Sequence, residues 1–388
     1  MDPPPLNVFD IFPYSEHVPE NHLLGCLCNT LTLISYTFLK NICVSVCILY
    51  YFATPCSLEI YLTQKYLGDL ISSSGNNTEN VKERCKTGFK AISQIKALMK
   101  DVSMGKYTIQ IGLIFRDTMF VSKMLLNSEV WHCLTQSQVQ ELEKLDRILI
   151  RHVFDAHSKT GLEWLYLDAG KLNLGSLIQI RRLMYLWHIL SRDESELIRR
   201  VYETQKVAKN SGDWFTLVEK DKSDLNISMS DMEIQGVSKE KFKNYVTQKV
   251  KLKFLKHIEK LKEQHSKSEN LKCDELKTAE YIKSPRFSLK EKRLLFKLRS
   301  KTLDVKANFR HQHQDTWCIS CGLFEETQSH LLQCSKIIEK LSYVVGHISK
   351  FSENDIYGSL QKQEIIIKVY SDILDIREKL KQNYLEEN

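Results

Sequence analysis

At 388 residues, 43% hydrophobic and 27% charged, the chain is long enough for two or three domains and too apolar to be intrinsically disordered. Its net charge is only +7, and its eleven cysteines read as reduced thiols plus a metal cluster rather than a disulfide framework. An intracellular protein, nuclear or cytoplasmic, is the expectation.

Residues 1–62 begin Pro-rich and irregular. From His22 to Leu58 the one charged residue is Lys40, so the run 22–58 has the length to span a bilayer as one or two short helices. Asp10, Glu16 and Glu20 precede it, which is the wrong charge for a cleavable leader. A buried helix, or sequence never adapted to the rest of the fold, accounts for the same run.

Residues 63–220 read as helices packed on helices. KYLGDLISSSGNNTEN is a strand, a turn and a helix start, with Asn76 and Glu79 spaced to cap it. Val81, Cys85, Gly88, Ile92, Ile95 and Met99 then recur at helical spacing. GKYTIQIGLIFRDTMFVSKMLLNSEVW is apolar enough to be a helix buried all round. Thr135 and Gln138 predict a capping box opening a helix with Val139, Leu142, Leu145, Leu149 and Val153 on one face. LEWLYLDAGKLNL, between Gly161 and Gly175, reads as a turn-bounded connection to the helix LIQIRRLMYLWHILSRD. His132, His152 and His188 lie among apolar residues and are expected to be packed rather than ligating.

The positive charge gathers in residues 221–310. Lys239 to Arg310 hold 22 Lys/Arg against 9 Asp/Glu, a local +13, so the rest of the chain is net acidic. Ser238 can cap a helix with the stripe Val246, Val250, Phe254, Ile258 and Leu261, and Lys249, Lys253, Lys256 and Lys260 share an adjoining face. Ser288 and Glu291 predict a second capping box, followed by a row of Lys290, Arg293, Lys297 and Lys301 beside Leu294, Leu298 and Val305. Two such rows suit a phosphate backbone, although a merely solvated face is the commoner fate of charge runs. The polar stretch HSKSENLKCDELKT between them predicts a mobile linker.

Residues 311–388 contain Cys318-x2-Cys321-x8-His330-x3-Cys334, four zinc-type ligands within seventeen residues. Gly322 permits the tight turn after the first pair, and a short helix at Thr327–Gln333 puts His330 and Cys334 on one face. One structural Zn2+ is expected. Trp317 either stacks on unpaired bases or packs over the metal. Two closing helices follow, in which Ile365, Ile366, Val369, Ile373 and Leu374 can pack on the zinc element or on a partner.

Several of these stretches, in this order, resemble reverse transcriptases of non-LTR retrotransposons just after the polymerase palm. They are KYLGDLISSSGNNTENVKER, FRDTMFVSKMLLNSEVW, RRLMYLWHIL, SGDWFTLVEKD, LFKLRSKTLDVKANF, CISCG with SHLLQC, and ILDIREKL, covering residues 63 to about 380. The resemblance implies a mainly α fold: a helical thumb-like body, basic helices and a Cys-Cys-His-Cys zinc knuckle. It further implies RNA or an RNA–DNA duplex as partner, and it leaves His311 and His313 as spare to the metal. The family's Tyr-x-Asp-Asp loop does not occur in the chain, and only 54 residues follow Cys334, so a non-catalytic protein is expected. Acids such as Asp69 and Asp168 are then expected to be caps or surface groups. A membrane-tethered, zinc-stabilised interaction protein, and a decayed element copy without function, are the competing readings.

Overall fold

Two short strands lead into a long succession of helices. The computed structural model describes residues 63–66, 69–72, 77–101, 105–132, 134–158, 160–264, 274–312, 315–341 and 353–387. The apolar run 22–58, Asn76 of the expected capping pair, His313 and residues 265–273 of the expected linker lie outside them. Strands β1 (Thr63–Tyr66) and β2 (Asp69–Ser72) pair antiparallel, Thr63 opposite Ser72 and Tyr66 opposite Asp69. The remaining named elements are helical, as the apolar periodicity predicts.

Helix α1 (Thr78–Asp101) buries Val81, Ile92 and Ile95 along the predicted stripe. Helix α2 (Thr108–Phe115) continues through a π-helical turn, Arg116–Val121, into Ser122–Met124. It is not buried all round. Ile109, Leu113, Phe120 and Met124 are inside, but Ile114 is 55% exposed, and the innermost polar group is Arg116. Arg116 Nε and Nη2 donate to the two oxygens of Asp146 at 2.7 Å each, and Nη2 also donates to the Leu172 carbonyl at 2.9 Å. Tyr166 Oη donates to Asp146 Oδ2 at 3.0 Å. A guanidinium is buried only when its donors are used in this way. Burial opposes the Arg116 charge, and Asp146 more than offsets it, holding the group firmly protonated.

Helix α3 (Gln136–Phe154) starts with the predicted reciprocal cap: Gln138 N donates to Thr135 Oγ1 at 3.3 Å and Thr135 N to Gln138 Oε1 at 2.9 Å. The expected connection after Gly161 is in part a helix, α4 (Leu162–Ala169). Glu163 through Ala169 are all buried, so its composition has no polar face to betray a period. Gly170 ends it at φ +65°, and a Cβ there would lie 2.1 Å from the backbone N of Thr278. That close approach is where part of the expected linker docks. Ala279 N donates to the Asp168 carbonyl and Thr278 Oγ1 to the Ala169 carbonyl, both at 3.0 Å.

Helices α5 (Leu174–Leu190), α6 (Leu197–Ala208), α7 (Trp214–Asp224), α8 (Asp231–Gln235) and α9 (Lys239–Gln264) extend the core. Helix α9 buries Val246, Val250, Phe254 and Ile258 as predicted and lies along α5, with further contact to α4. Arg182 Nη1 donates to Asp221 Oδ2 at 2.6 Å, and Trp187 Nε1 to the Val237 carbonyl at 2.8 Å. Helices α10 (Glu280–Lys283), α11 (Leu289–Arg299), α12 (Gln328–Gln333), α13 (Ser335–Lys340) and α14 (Leu360–Glu387) complete the order.

Asp69 and Asp168 are not surface groups. Asp69 pairs with the buried Arg84. Asp168 takes two bonds from Arg299, 3.0 Å from Nε and 2.9 Å from Nη2, and a third at 2.8 Å from Tyr281 Oη. The rings of Trp164, Tyr281 and Tyr357 surround that guanidinium at 5.3–5.9 Å. His132, His152 and His188 are half-buried, and His188 stacks on Tyr185. Residues 62–388 cluster as one unit around a single apolar core. Among the described residues no helix is long and apolar enough to cross a membrane.

Candidate metal centre and basic helices

Residues 316–326 fold back on themselves. Glu326 N donates to the Thr316 carbonyl and Cys318 N to the Phe324 carbonyl, each at 2.7 Å, so Trp317 stands opposite Glu325. Gly322 N donates to the Cys318 carbonyl at 2.8 Å, and Gly322 takes φ +67°, the left-handed conformation predicted for it. That turn carries Cys318 and Cys321. Thr327 then caps α12, accepting from His330 N at 3.0 Å, and Cys334 ends the same helix.

The four ligand atoms all lie within 4.8 Å of one another. Cys318 Sγ is 3.9 Å from Cys334 Sγ, and Cys321 Sγ is 3.4 Å from His330 Nε2. Ligand bonds of about 2.3 Å for sulfur and about 2.0 Å for nitrogen give tetrahedral edges of roughly 3.5–3.8 Å. The geometry can therefore hold one metal ion and is consistent with zinc. Burial pushes the Cys318 thiol up and the Cys334 thiol up to about 12. Burial also acts on Cys321, but the N–H groups of Leu323 and Phe324 outweigh it and draw that thiol down. Burial lowers His330, favouring the neutral ring that a ligand requires. Without a cation, two of the three sulfurs resist ionisation.

No family model, curated protein or solved structure matches the chain.

Trp317 is 55% exposed, and the ring of Phe324 lies 5.5 Å from the His330 ring. Phe324 and Leu323 are themselves 62% and 68% exposed. Nearby charges are mutually paired: Lys306 with Asp315 at 2.9 Å, and Arg310 with Glu325 at 2.5 Å. His311 is exposed and not among the four converging ligands.

The basic rows are less uniform than their spacing suggests. On α9, Lys249 donates to the Asn226 carbonyl at 3.3 Å and lies over the Tyr245 ring, and Lys253 pairs with Asp224 at 3.2 Å. Lys256 and Lys260 are exposed. On α11, Lys290 is exposed, Arg293 is half-buried, and half-buried Lys297 sits 3.5 Å from Asp155. Lys301 falls beyond the helix end, at φ +50°. The two rows sit in different settings, α9 on α5 and α11 beside α14 and residues 353–357.

Sequence reasoning passed over three groups that shape this region. Lys292, with the same charge as its neighbours, is fully buried and donates to the carbonyls of Lys106 at 2.7 Å and Ile282 at 2.6 Å. Gln328 Nε2 donates to the Leu298 carbonyl at 3.1 Å, joining the metal module to the end of α11. Glu326 is buried between the two halves of the ligand set, bonded to Arg377 of α14. Glu326 falls within the x8 spacer, where spacing alone gives no role.

Proposed function

We propose that this chain is a non-catalytic nucleic-acid-binding protein of non-LTR reverse-transcriptase descent. In this reading it holds RNA or an RNA–DNA duplex through Lys/Arg contacts, and one structural Zn2+ in Cys318, Cys321, His330 and Cys334 keeps its C-terminal module folded. The observation that carries it is the convergence of those four side chains beside an exposed Trp317, on a module bonded to the end of basic helix α11. Three sulfurs and one imidazole at tetrahedral spacing are the donor set zinc prefers. Phosphate contact falls to Lys256, Lys260 and Lys290, the exposed members of the two rows. Trp317 offers a stacking face for a base. The absence of a Tyr-x-Asp-Asp from the sequence supports a role in holding nucleic acid rather than extending it.

The test uses the full chain. Native mass spectrometry should find one zinc per chain. Fluorescence anisotropy with a labelled RNA hairpin and an RNA–DNA hybrid should then find an affinity that falls steeply with added KCl. Three or more phosphate contacts correspond to a log–log slope of about −2 or steeper. An affinity indifferent to salt, or none at all, sinks the nucleic-acid reading.

A further inference from the structure

Glu326 has an exposure of 0% and lies four residues before the ligand His330. A buried carboxylate must have its lone pairs occupied, and here the donors come from two distant parts of the chain. Arg377 Nε donates to Oε1 at 2.7 Å and Nη2 to Oε2 at 2.8 Å, a two-bond fork from α14. Lys306 N donates to Oε2 at 2.9 Å. Its own backbone closes the hairpin that carries Cys318 and Cys321, Glu326 N donating to the Thr316 carbonyl at 2.7 Å. One residue thus ties the hairpin of the cysteine turn to the C-terminal helix. A second tie runs parallel to it, Tyr370 Oη donating to the Gln328 carbonyl at 3.3 Å, and Ile366, Tyr370 and Ile373 are buried on the same face of α14.

The energetic consequence follows from the burial. A tetrahedral ion fixes where the Cys318 and Cys321 sulfurs must stand, so whatever fixes Glu326 at the base of the hairpin fixes the turn that presents them. Glu326 can hold it only while charged and inside, and it stays charged because the Arg377 fork is there; removing one partner of such a pair leaves an uncompensated buried charge. We propose that Glu326 and Arg377 are positioning residues for the metal, so that metal binding and the docking of α14 promote one another. Arg377 touches no ligand and stands 43 residues beyond Cys334 in sequence, yet it sets the affinity for zinc. By linkage, the ion stabilises α14 by the same factor. The proposal rests on the metal reading of the site and is independent of nucleic-acid binding.

Zinc affinity of the full chain is measured by competition with a chromophoric chelator. Arg377→Met should weaken it by about tenfold or more, the usual range for groups that orient metal ligands. Arg377→Lys should recover part of the loss, since it restores the charge but not the fork. In a Glu326→Gln background, Arg377→Met should have little further effect, because its route to the metal is already cut. Wild-type affinity in Arg377→Met overturns the proposal, as does a loss of equal size in the Glu326→Gln background. Should Arg377→Met fail to fold, amide exchange in the wild-type chain decides: stripping zinc should speed exchange across residues 360–381 and leave α3 protected. Unchanged exchange in α14 overturns the coupling. A wild-type chain that takes up no zinc removes the metal reading itself, whereas a zinc-loaded chain indifferent to Arg377 removes only this inference.

Discussion

The helical body of residues 78–264 and the metal module of residues 316–341 fold on different terms. The body buries continuous stripes from α1, α3, α5 and α9 around a shared core. The module's buried apolar side chains are Cys318, Leu331, Leu332, Cys334, Ile337 and Leu341, and two of those are candidate metal ligands. They belong to the shared core, and by themselves so few would not offset the entropy of ordering the module's backbone. In the proposed reading a metal ion and the docked helix α14 supply the rest. The difference teaches where each region is vulnerable: the body to any break in its packing, the module, on the metal reading, to loss of a single ion.

The largest expected effect breaks the module alone. Stripping the metal, or Cys334→Ser, should separate thermal unfolding into two transitions. An early one belongs to α12–α14, and a later one, little changed, belongs to the body. Structural zinc contributes about 10–16 kcal/mol in isolated finger peptides, which sets the upper scale of the loss. Circular dichroism melts with and without chelator make the comparison. A single transition at the same temperature in both would mean that the module needs no ion.

The next effect breaks the body and spares the module. Arg116→Met strands the fully buried Asp146 carboxylate without its two-bond partner and should cost about 3–5 kcal/mol. Replacing both, Arg116→Met with Asp146→Leu, should recover much of that, because an apolar pair has no charge to desolvate. The Arg116→Met loss should be the same size with zinc present and with zinc removed. A loss that depends on zinc would mean that body and module do not fold on separate terms.

Much of this was legible in the sequence. The capping boxes at Thr135 and Ser288, the stripes of α1, α3 and α9, and the left-handed turn at Gly322 all rest on local rules that no distant contact overrides. The four ligands were legible because tetrahedral coordination restricts both residue type and spacing. What escaped reading depends on partners far away in sequence. The Arg116–Asp146 pair spans 30 residues, and Arg299–Asp168 spans 131. Lys292 belongs by charge to a surface row, and only the carbonyls of Lys106 and Ile282 make its burial tolerable. Helix α4 escaped for the opposite reason, since a helix covered on every side carries no alternation to detect.

The smallest effect on stability separates the two ways in which the chain would hold nucleic acid. Trp317 is exposed beside the metal site, and Lys256 and Lys260 are exposed on α9, so replacing any of them should leave the melting temperature close to wild type. Their effects on binding should differ in kind. A stacked base contributes about 1–3 kcal/mol regardless of ionic strength, so Trp317→Ala should weaken single-stranded RNA binding roughly 5- to 150-fold with the salt slope unchanged. Lys256→Ala with Lys260→Ala should flatten that slope by about 1.4 on single strands, one counterion's share for each phosphate that the pair no longer neutralises. Slopes from anisotropy titrations at several KCl concentrations read both outcomes directly. Should Trp317→Ala lower the melting temperature instead and leave binding intact, Trp317 supports the module's fold. The lysines of α9 and α11 would then carry the whole interaction.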